Sequence, residues 1–138
     1  TVTDPRMTRF WITREEGVDF VIRCVETMEG GEIFVPKAPS ACVMDLVATI
    51  APECRVEYIG IREGEKLHEV LVADDEARRA REQEDMFVIW SSVAPPSWGG
   101  RRAGRPLPEG YQYTSDATAR RLTPSELRER LVQSGDLK

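Results

Sequence analysis

The chain has 138 residues, 41% apolar and 31% charged, a balance that suits one ordinary globular domain or a piece of a larger one. Its 24 acidic residues outnumber 19 lysines and arginines, and a net charge of −5 argues against a binder that neutralises nucleic-acid phosphates, which needs a concentrated basic face. Neither a run of about 18 apolar residues nor a signal-peptide pattern occurs, so membrane insertion and export are unsupported and the cytoplasm is the default expectation.

The first residues, Thr1-Val2-Thr3-Asp4-Pro5-Arg6, read as extended chain without an initiator methionine, as though continuing from something longer. Thr13 followed by Glu16 is a capping box. Val18, Phe20, Val21, Ile22, Val25 and Met28 then supply one helical apolar face that ends at Gly30-Gly31, so a helix is expected over 14–28. Glu32-Ile33-Phe34-Val35 is β-prone and stops at Pro36. Ser40 precedes a second amphipathic helix through Val43, Leu46, Val47 and Ile50, halted before Pro52.

The alternation of Arg55-Val56-Glu57-Tyr58-Ile59-Gly60-Ile61 predicts a half-buried strand, with Arg62 and Glu65 in a loop beyond its end, where ligands of α/β proteins tend to bind. The charge run over 74–85 reads as a solvated face, and Met86-Phe87-Val88-Ile89-Trp90 as one more strand. Prolines, glycines and Arg101, Arg102 and Arg105 mark 94–110 as a mobile loop. Thr123-Pro124-Ser125-Glu126 opens a terminal helix carrying Leu127 and Leu131.

Cys24, Cys42 and Cys54 include no CxxC pair and read as buried free thiols of a reducing compartment. His68 is the sole histidine. Without a second ligand at suitable spacing it argues against a metal site, and a structural place at the start of a short helix is expected for it. Trp11, Trp90 and Trp98 read as core or cover rather than stacking platforms, since no basic stripe interleaves them.

The segment Gly60-Ile61-Arg62-Glu63-Gly64-Glu65-Lys66-Leu67-His68-Glu69 places an arginine, a carboxylate and a flexible glycine in one tight loop. An arginine there can fork onto a diphosphate, and Glu65 can accept from a ribose diol while Gly64 permits close backbone approach. The commoner fate of such residues is a surface turn with an ion pair.

Three blocks, Thr3-Asp4-Pro5-Arg6-Met7-Thr8-Arg9-Phe10-Trp11, Gly31-Glu32-Ile33-Phe34-Val35-Pro36-Lys37 and the 60–69 segment, are co-linear. Together they resemble the C-terminal part of the inverting UDP-N-acetylglucosamine 4,6-dehydratases, extended short-chain dehydrogenase/reductases of polysaccharide biosynthesis. The resemblance covers roughly residues 1–93, with an extension over 111–138 beyond the Pro/Gly/Arg-rich 94–110 loop.

It implies an α/β fold, the C-terminal substrate-binding part of a Rossmann-type enzyme, and an NADP-dependent lyase. That enzyme oxidises the sugar at C4, eliminates water across C5 and C6 and returns the hydride to C6. The 4-keto-6-deoxy product, inverted at C5, feeds bacterial surface glycans and flagellin glycosylation, for instance through pseudaminic acid. It also implies a UDP-sugar partner and a homo-oligomer, with no nucleic acid or membrane, and a first helix whose apolar face packs on the nucleotide-binding part. In this chain alone that face would be exposed and favour association.

By the same resemblance, Arg62 and Glu65 fall on positions that hold the UDP portion, and Thr3 on an extended segment along the nucleotide pocket. Arg6 and Arg9 either add positive potential near the diphosphate or brace the domain through ion pairs. The family's Gly-rich phosphate loop and its Tyr-x-x-x-Lys pair are missing: Tyr58 is followed four residues on by Arg62, and Gly99-Gly100-Arg101-Arg102-Ala103-Gly104 has neither the spacing nor the preceding strand. The chain is therefore expected to lack catalytic residues and to be inactive alone, with NADP held elsewhere. The other readings are a retaining dehydratase or epimerase of capsule synthesis, and a non-catalytic α/β interaction module.

Overall fold

The computed structural model describes residues 1–91 and 103–137. Trp98, the glycines and arginines at 99–102 and most of the expected 94–110 loop lie outside the described residues. The chain divides into two compact units, one formed by 1–14, 38–69 and 114–138, the other by 15–37 and 70–113.

In the first unit, β1 (Thr8–Phe10) pairs antiparallel with β3 (Ser40–Cys42), Thr8 opposite Cys42 and Phe10 opposite Ser40. β3 runs straight into α2 (Val43–Ile50). Ser40 is not the cap that the sequence suggested. It is fully buried within the strand, its N–H donating to the Arg120 carbonyl and its own carbonyl accepting from Leu122. The helix starts at Val43, three residues later, where the Val43 N–H finds the Met7 carbonyl at 2.9 Å, so the residue before β1 supplies the acceptor that a side chain was expected to give.

The terminal helix α4 (Pro124–Gln133) forms as its capping box predicts. Thr123 Oγ1 accepts from the Glu126 N–H at 3.3 Å, and Glu126 Oε2 accepts from the Thr123 N–H at 2.8 Å. The Thr123 N–H foremost, then Arg120 and the Thr123 hydroxyl, donate to the Glu126 carboxyl and hold it down at about 2. α4 sinks Leu127 and Leu131 into a core with Ala41 and Leu122, flanked by Trp11, Leu46 and Leu137. Each leucine contributes about 1.5–3 kcal/mol by burial.

The 55–61 segment does not form the expected strand. Its pairing is a single parallel bridge, Val2 with Tyr58, made by Val2 N–H to Glu57 O (2.8 Å) and Ile59 N–H to Val2 O (3.0 Å). Tyr58, Ile59 and Ile61 stay about half exposed, so neither face of the alternation is buried. Strand preference is realised only against neighbours, and here there is one bridge's worth.

The second unit is built on a four-stranded sheet of order β2-β6-β5-β7, with β2 (Glu32–Pro36), β5 (Ala80–Glu82), β6 (Met86–Trp90) and β7 (Arg105–Pro106). β6 lies between β2 and β5, with Val35 opposite Phe87 and Ala80 opposite Ile89. Met86, Phe87, Val88 and Ile89 are all buried, the outcome expected of an uninterrupted apolar run. Phe87 packs against the Tyr111 and Tyr113 rings at 5.8 and 4.9 Å between centroids. Gly104 (φ +103°) precedes β7 where a Cβ would lie 2.5 Å from the Glu82 carbonyl oxygen, so only glycine lets β7 approach β5 this closely. The charge run expected as a solvated face contains a short helix, α3 (Asp74–Ala77), and β5. β4 (Val70–Val72) and β8 (Tyr113–Thr114) form a separate ladder.

α1 (Arg14–Thr27) lies within one residue of its predicted span and buries no residue, as the resemblance implied for this chain alone: Val18, Val21, Ile22 and Val25, with Met28 just beyond the helix, are each more than half exposed. None of the three cysteines is disulfide-bonded. Cys24 and Cys42 are half-buried rather than buried and Cys54 is exposed, so the expectation of buried thiols holds only in part. No helix among the described residues is long and apolar enough to cross a membrane.

Candidate functional site

The candidate residues Thr3, Arg62 and Glu65 all lie in the first unit. Arg62, Glu63, Gly64 and Glu65 form a tight turn closed by the Glu65 N–H donating to the Arg62 carbonyl at 3.1 Å. Gly64, at its third position, has φ +79°, the sign that a type II turn requires there. A side chain at this point would meet open space, so the glycine is needed for backbone conformation rather than for room.

Glu65 is half-buried and is the hub of the turn. Its Oε2 accepts from the Arg62 N–H at 3.1 Å, and its Oε1 from the Thr3 hydroxyl at 3.1 Å. Thr3, 62 residues away in sequence, is thereby joined to the loop. A carboxylate offers about four lone-pair sites, so two accepted bonds leave capacity for a ligand hydroxyl.

Arg62 is exposed, and its guanidinium makes no hydrogen bond or ion pair with a described residue. Glu65 Oε1 lies 4.0 Å from Arg9 Nη2, so the ion pair of this turn is made with Arg9 and not with Arg62. Glu65 holds the Arg62 backbone and leaves the side chain unspent.

Arg6 and Arg9 are spent. Arg6 grips Asp4 through Nε (3.0 Å) and Nη2 (2.8 Å), and this bond holds the Asp4 carboxyl down at about 2. Arg9 Nη1 donates to the Thr8 and Leu67 carbonyls at 2.7 and 3.1 Å, and Nη2 to the Lys66 carbonyl at 2.9 Å. Its Nε lies 3.5 Å from Glu69 Oε1. Of the two roles open to these arginines, the geometry is that of bracing.

His68 sits in a bend rather than a helix. Its Nδ1 is 2.8 Å from Thr8 Oγ1, which is 2.7 Å from Ser115 Oγ, and its Nε2 is 4.0 Å from Asp116 Oδ2. Ser115 also accepts from the Glu69 N–H at 2.9 Å. Thr8 and Ser115 are buried, so this chain of contacts fastens the loop base to β1, while the His68 and Asp116 side chains at its outer end remain 31% and 39% exposed. His68 thus ties the loop base to β1 from a bend, not from the start of the short helix that the sequence suggested. Thr8, Ser115 and Asp116 carried no sequence signal, because no local spacing links positions 8, 68 and 115.

No strand among the described residues passes through a glycine-rich turn into a helix: β3 meets α2 at Cys42-Val43, and β4 meets α3 at Ala73. Nor do three His, Cys, Asp or Glu side chains group to hold a metal ion among the described residues. The arrangement can recognise an anion and a hydroxyl.

Comparisons with known proteins agree with the motif blocks. The family model described as polysaccharide biosynthesis protein matches residues 1–91. A UDP-N-acetylglucosamine 4,6-dehydratase (inverting) of Campylobacter jejuni is 40% identical over 124 residues, 83% of this chain and 36% of that protein. A UDP-glucose 4-epimerase of Rickettsia massiliae is 33% identical over 93 residues, 64% of this chain and 27% of that protein. The X-ray structure of Pen from Bacillus thuringiensis superposes with a TM-score of 0.81 at 29% identity, over 99% of this chain and 40% of that one. The chain thus spans well under half the length of these relatives. It belongs to the polysaccharide biosynthesis protein family, with the α/β fold of the C-terminal part of an extended short-chain dehydrogenase/reductase.

Proposed function

We propose that the chain is the UDP-sugar-binding portion of a nucleotide-sugar 4,6-dehydratase acting on UDP-N-acetylglucosamine with inversion at C5. The observation that carries this reading is the unspent guanidinium of Arg62 on a turn whose conformation is fixed by Glu65, within a segment covered by the family model. Arg62 gives paired N–H donors to the diphosphate, Glu65 accepts from a ribose hydroxyl, and Thr3 lines the nucleotide beside it. Residues 1–93 and 111–138 would form the binding region and its extension, with 94–110 a variable loop between them.

The redox step belongs to NADP and to the acid–base residues of the remainder of such an enzyme. No step of it is assigned to a residue of this chain, which would be inactive alone. The product is a 4-keto-6-deoxy nucleotide sugar for a bacterial surface glycan or flagellin glycan, made in the cytoplasm by a homo-oligomer. The identity to a UDP-glucose 4-epimerase favours a second reading, epimerisation at C4. Product analysis separates them, because an epimerase retains the C6 hydroxyl.

The direct test is calorimetric titration of UDP and UDP-N-acetylglucosamine into the full-length protein and its Arg62→Ala variant. Loss of a charged hydrogen-bonding pair predicts about 1.5–3 kcal/mol weaker binding of both ligands. Unchanged affinity would remove Arg62 from the site.

A further inference from the structure

Resting on the reading of the 62–65 turn as a diphosphate-binding element, we infer that Arg9 is its positioning residue, acting through the backbone of the loop and not by touching the ligand. Apart from the Thr3 hydroxyl on Glu65, the turn has little else to hold it. Ile61, Arg62, Glu63, Gly64 and Lys66 are all exposed, so packing does not fix its place.

The rest of its anchorage is polar and converges on β1. The Arg9 guanidinium donates to the carbonyls of Lys66 and Leu67, the two residues directly after Glu65. It also lies 4.0 Å from Glu65 Oε1 and 3.5 Å from Glu69 Oε1. Glu65 in turn accepts from the Arg62 N–H, so the contacts run from Arg9 through 65–67 to the residue that meets the ligand. The Leu67 carbonyl accepts from the Thr8 N–H as well, at 3.2 Å, which ties the same segment to the strand carrying Arg9.

Each of the three guanidinium nitrogens has an acceptor within 3.5 Å. Nη1 spends both of its N–H groups on carbonyls, and Nη2 spends one on a carbonyl and one on Met7 Sδ at 3.5 Å, so the fork of Arg9 is committed to the protein, in contrast with that of Arg62. The planar fork is what permits simultaneous contact with two successive carbonyls and a carboxylate. A lysine ammonium keeps the charge and cannot reproduce that span. A site held loosely loses affinity because the ligand must order it on binding.

The test is a double-mutant cycle on UDP affinity in the full-length protein with Arg9→Lys, Arg62→Ala and both together. The expected result is about fivefold weaker binding in Arg9→Lys and tenfold or more in Arg62→Ala, with Arg9→Lys adding little once Arg62 is gone. Amide hydrogen exchange should rise in Arg9→Lys over 63–67 alone, which separates a loosened loop from general unfolding. Wild-type affinity in Arg9→Lys, beside weakened binding in Arg62→Ala, overturns the inference and leaves the site reading standing. An undiminished Arg9→Lys effect in the Arg62→Ala background also overturns it, since Arg9 would then act independently of the turn. Unchanged binding in Arg62→Ala overturns the site reading, and this inference with it.

Discussion

The 60–69 loop of the first unit and the Lys37–Glu82–Arg105 cluster of the second are both charged and both partly exposed, yet they are opposite in kind. In the cluster every charge is matched: Lys37 Nζ meets Glu82 Oε1 at 2.8 Å and lies 5.3 Å from the centre of the Phe87 ring, and Arg105 Nη2 meets Glu82 Oε2 at 2.7 Å. In the loop Glu65 spends its oxygens on a backbone N–H and a hydroxyl, and the Arg62 guanidinium is left unmatched. A cluster whose charges satisfy one another holds a sheet edge in place, whereas an unmatched guanidinium on a braced turn is available to a ligand.

The strongest way to break that contrast is to exchange the effects of the two cations. Arg62→Ala is expected to lower UDP affinity by tenfold or more while leaving the thermal midpoint close to wild type, because its side chain is exposed. Lys37→Met should do the reverse. It costs about 1 kcal/mol in denaturant unfolding through its half-buried pair and leaves UDP affinity unchanged. If Lys37→Met weakened UDP binding as Arg62→Ala does, matched and unmatched charges would not differ in role.

A smaller effect sharpens the same point through pH. Hydrogen bonds from Lys37 and then Arg105 lower the Glu82 carboxyl from its ordinary value. A depressed folded value means that the contribution is present above about pH 4.3, where an unfolded glutamate is ionised, and is lost as pH falls through the folded value. Acid titration of stability should therefore be shallower below about pH 4.3 in Glu82→Gln than in the wild type. An identical acid limb in both would show that the cluster does not bind its carboxylate preferentially in the folded state. The smallest effect is expected on α1, where Val21 is 60% exposed: Val21→Ser should change the unfolding free energy by no more than about 0.5 kcal/mol.

The parts of this fold legible in the sequence are those whose signals are local. α1, α2, β2, β6 and α4 follow from apolar periodicity and from Gly, Pro and Thr-x-x-Glu punctuation, all read within a few residues. Burial was not legible from the local pattern alone. α1 and α4 open on the same Thr-x-x-Glu pattern, but Leu127 and Leu131 are enclosed while the α1 face is not, an exposure that followed from the family resemblance rather than from the residues of the helix. The 55–61 alternation misled because it found only Val2 as a partner.

At the candidate site, the glycine turn and the types of its residues were readable, since Gly64 at the third turn position is a local signal. The division of labour among arginines was not. Arg9 reaches Lys66 and Leu67 across more than fifty residues, and Thr8 meets Ser115 across 107, so nothing in the spacing marks Arg9 as brace and Arg62 as available.

The central claim is that the Arg62 guanidinium is held free for a diphosphate. A crystal structure of the full-length protein with UDP tests it most directly. The account predicts Arg62 guanidinium nitrogens about 2.7–2.9 Å from diphosphate oxygens, with the Glu65 to Arg62 backbone contact intact. A diphosphate bound by other residues, with the Arg62 side chain extended into solvent, would contradict it.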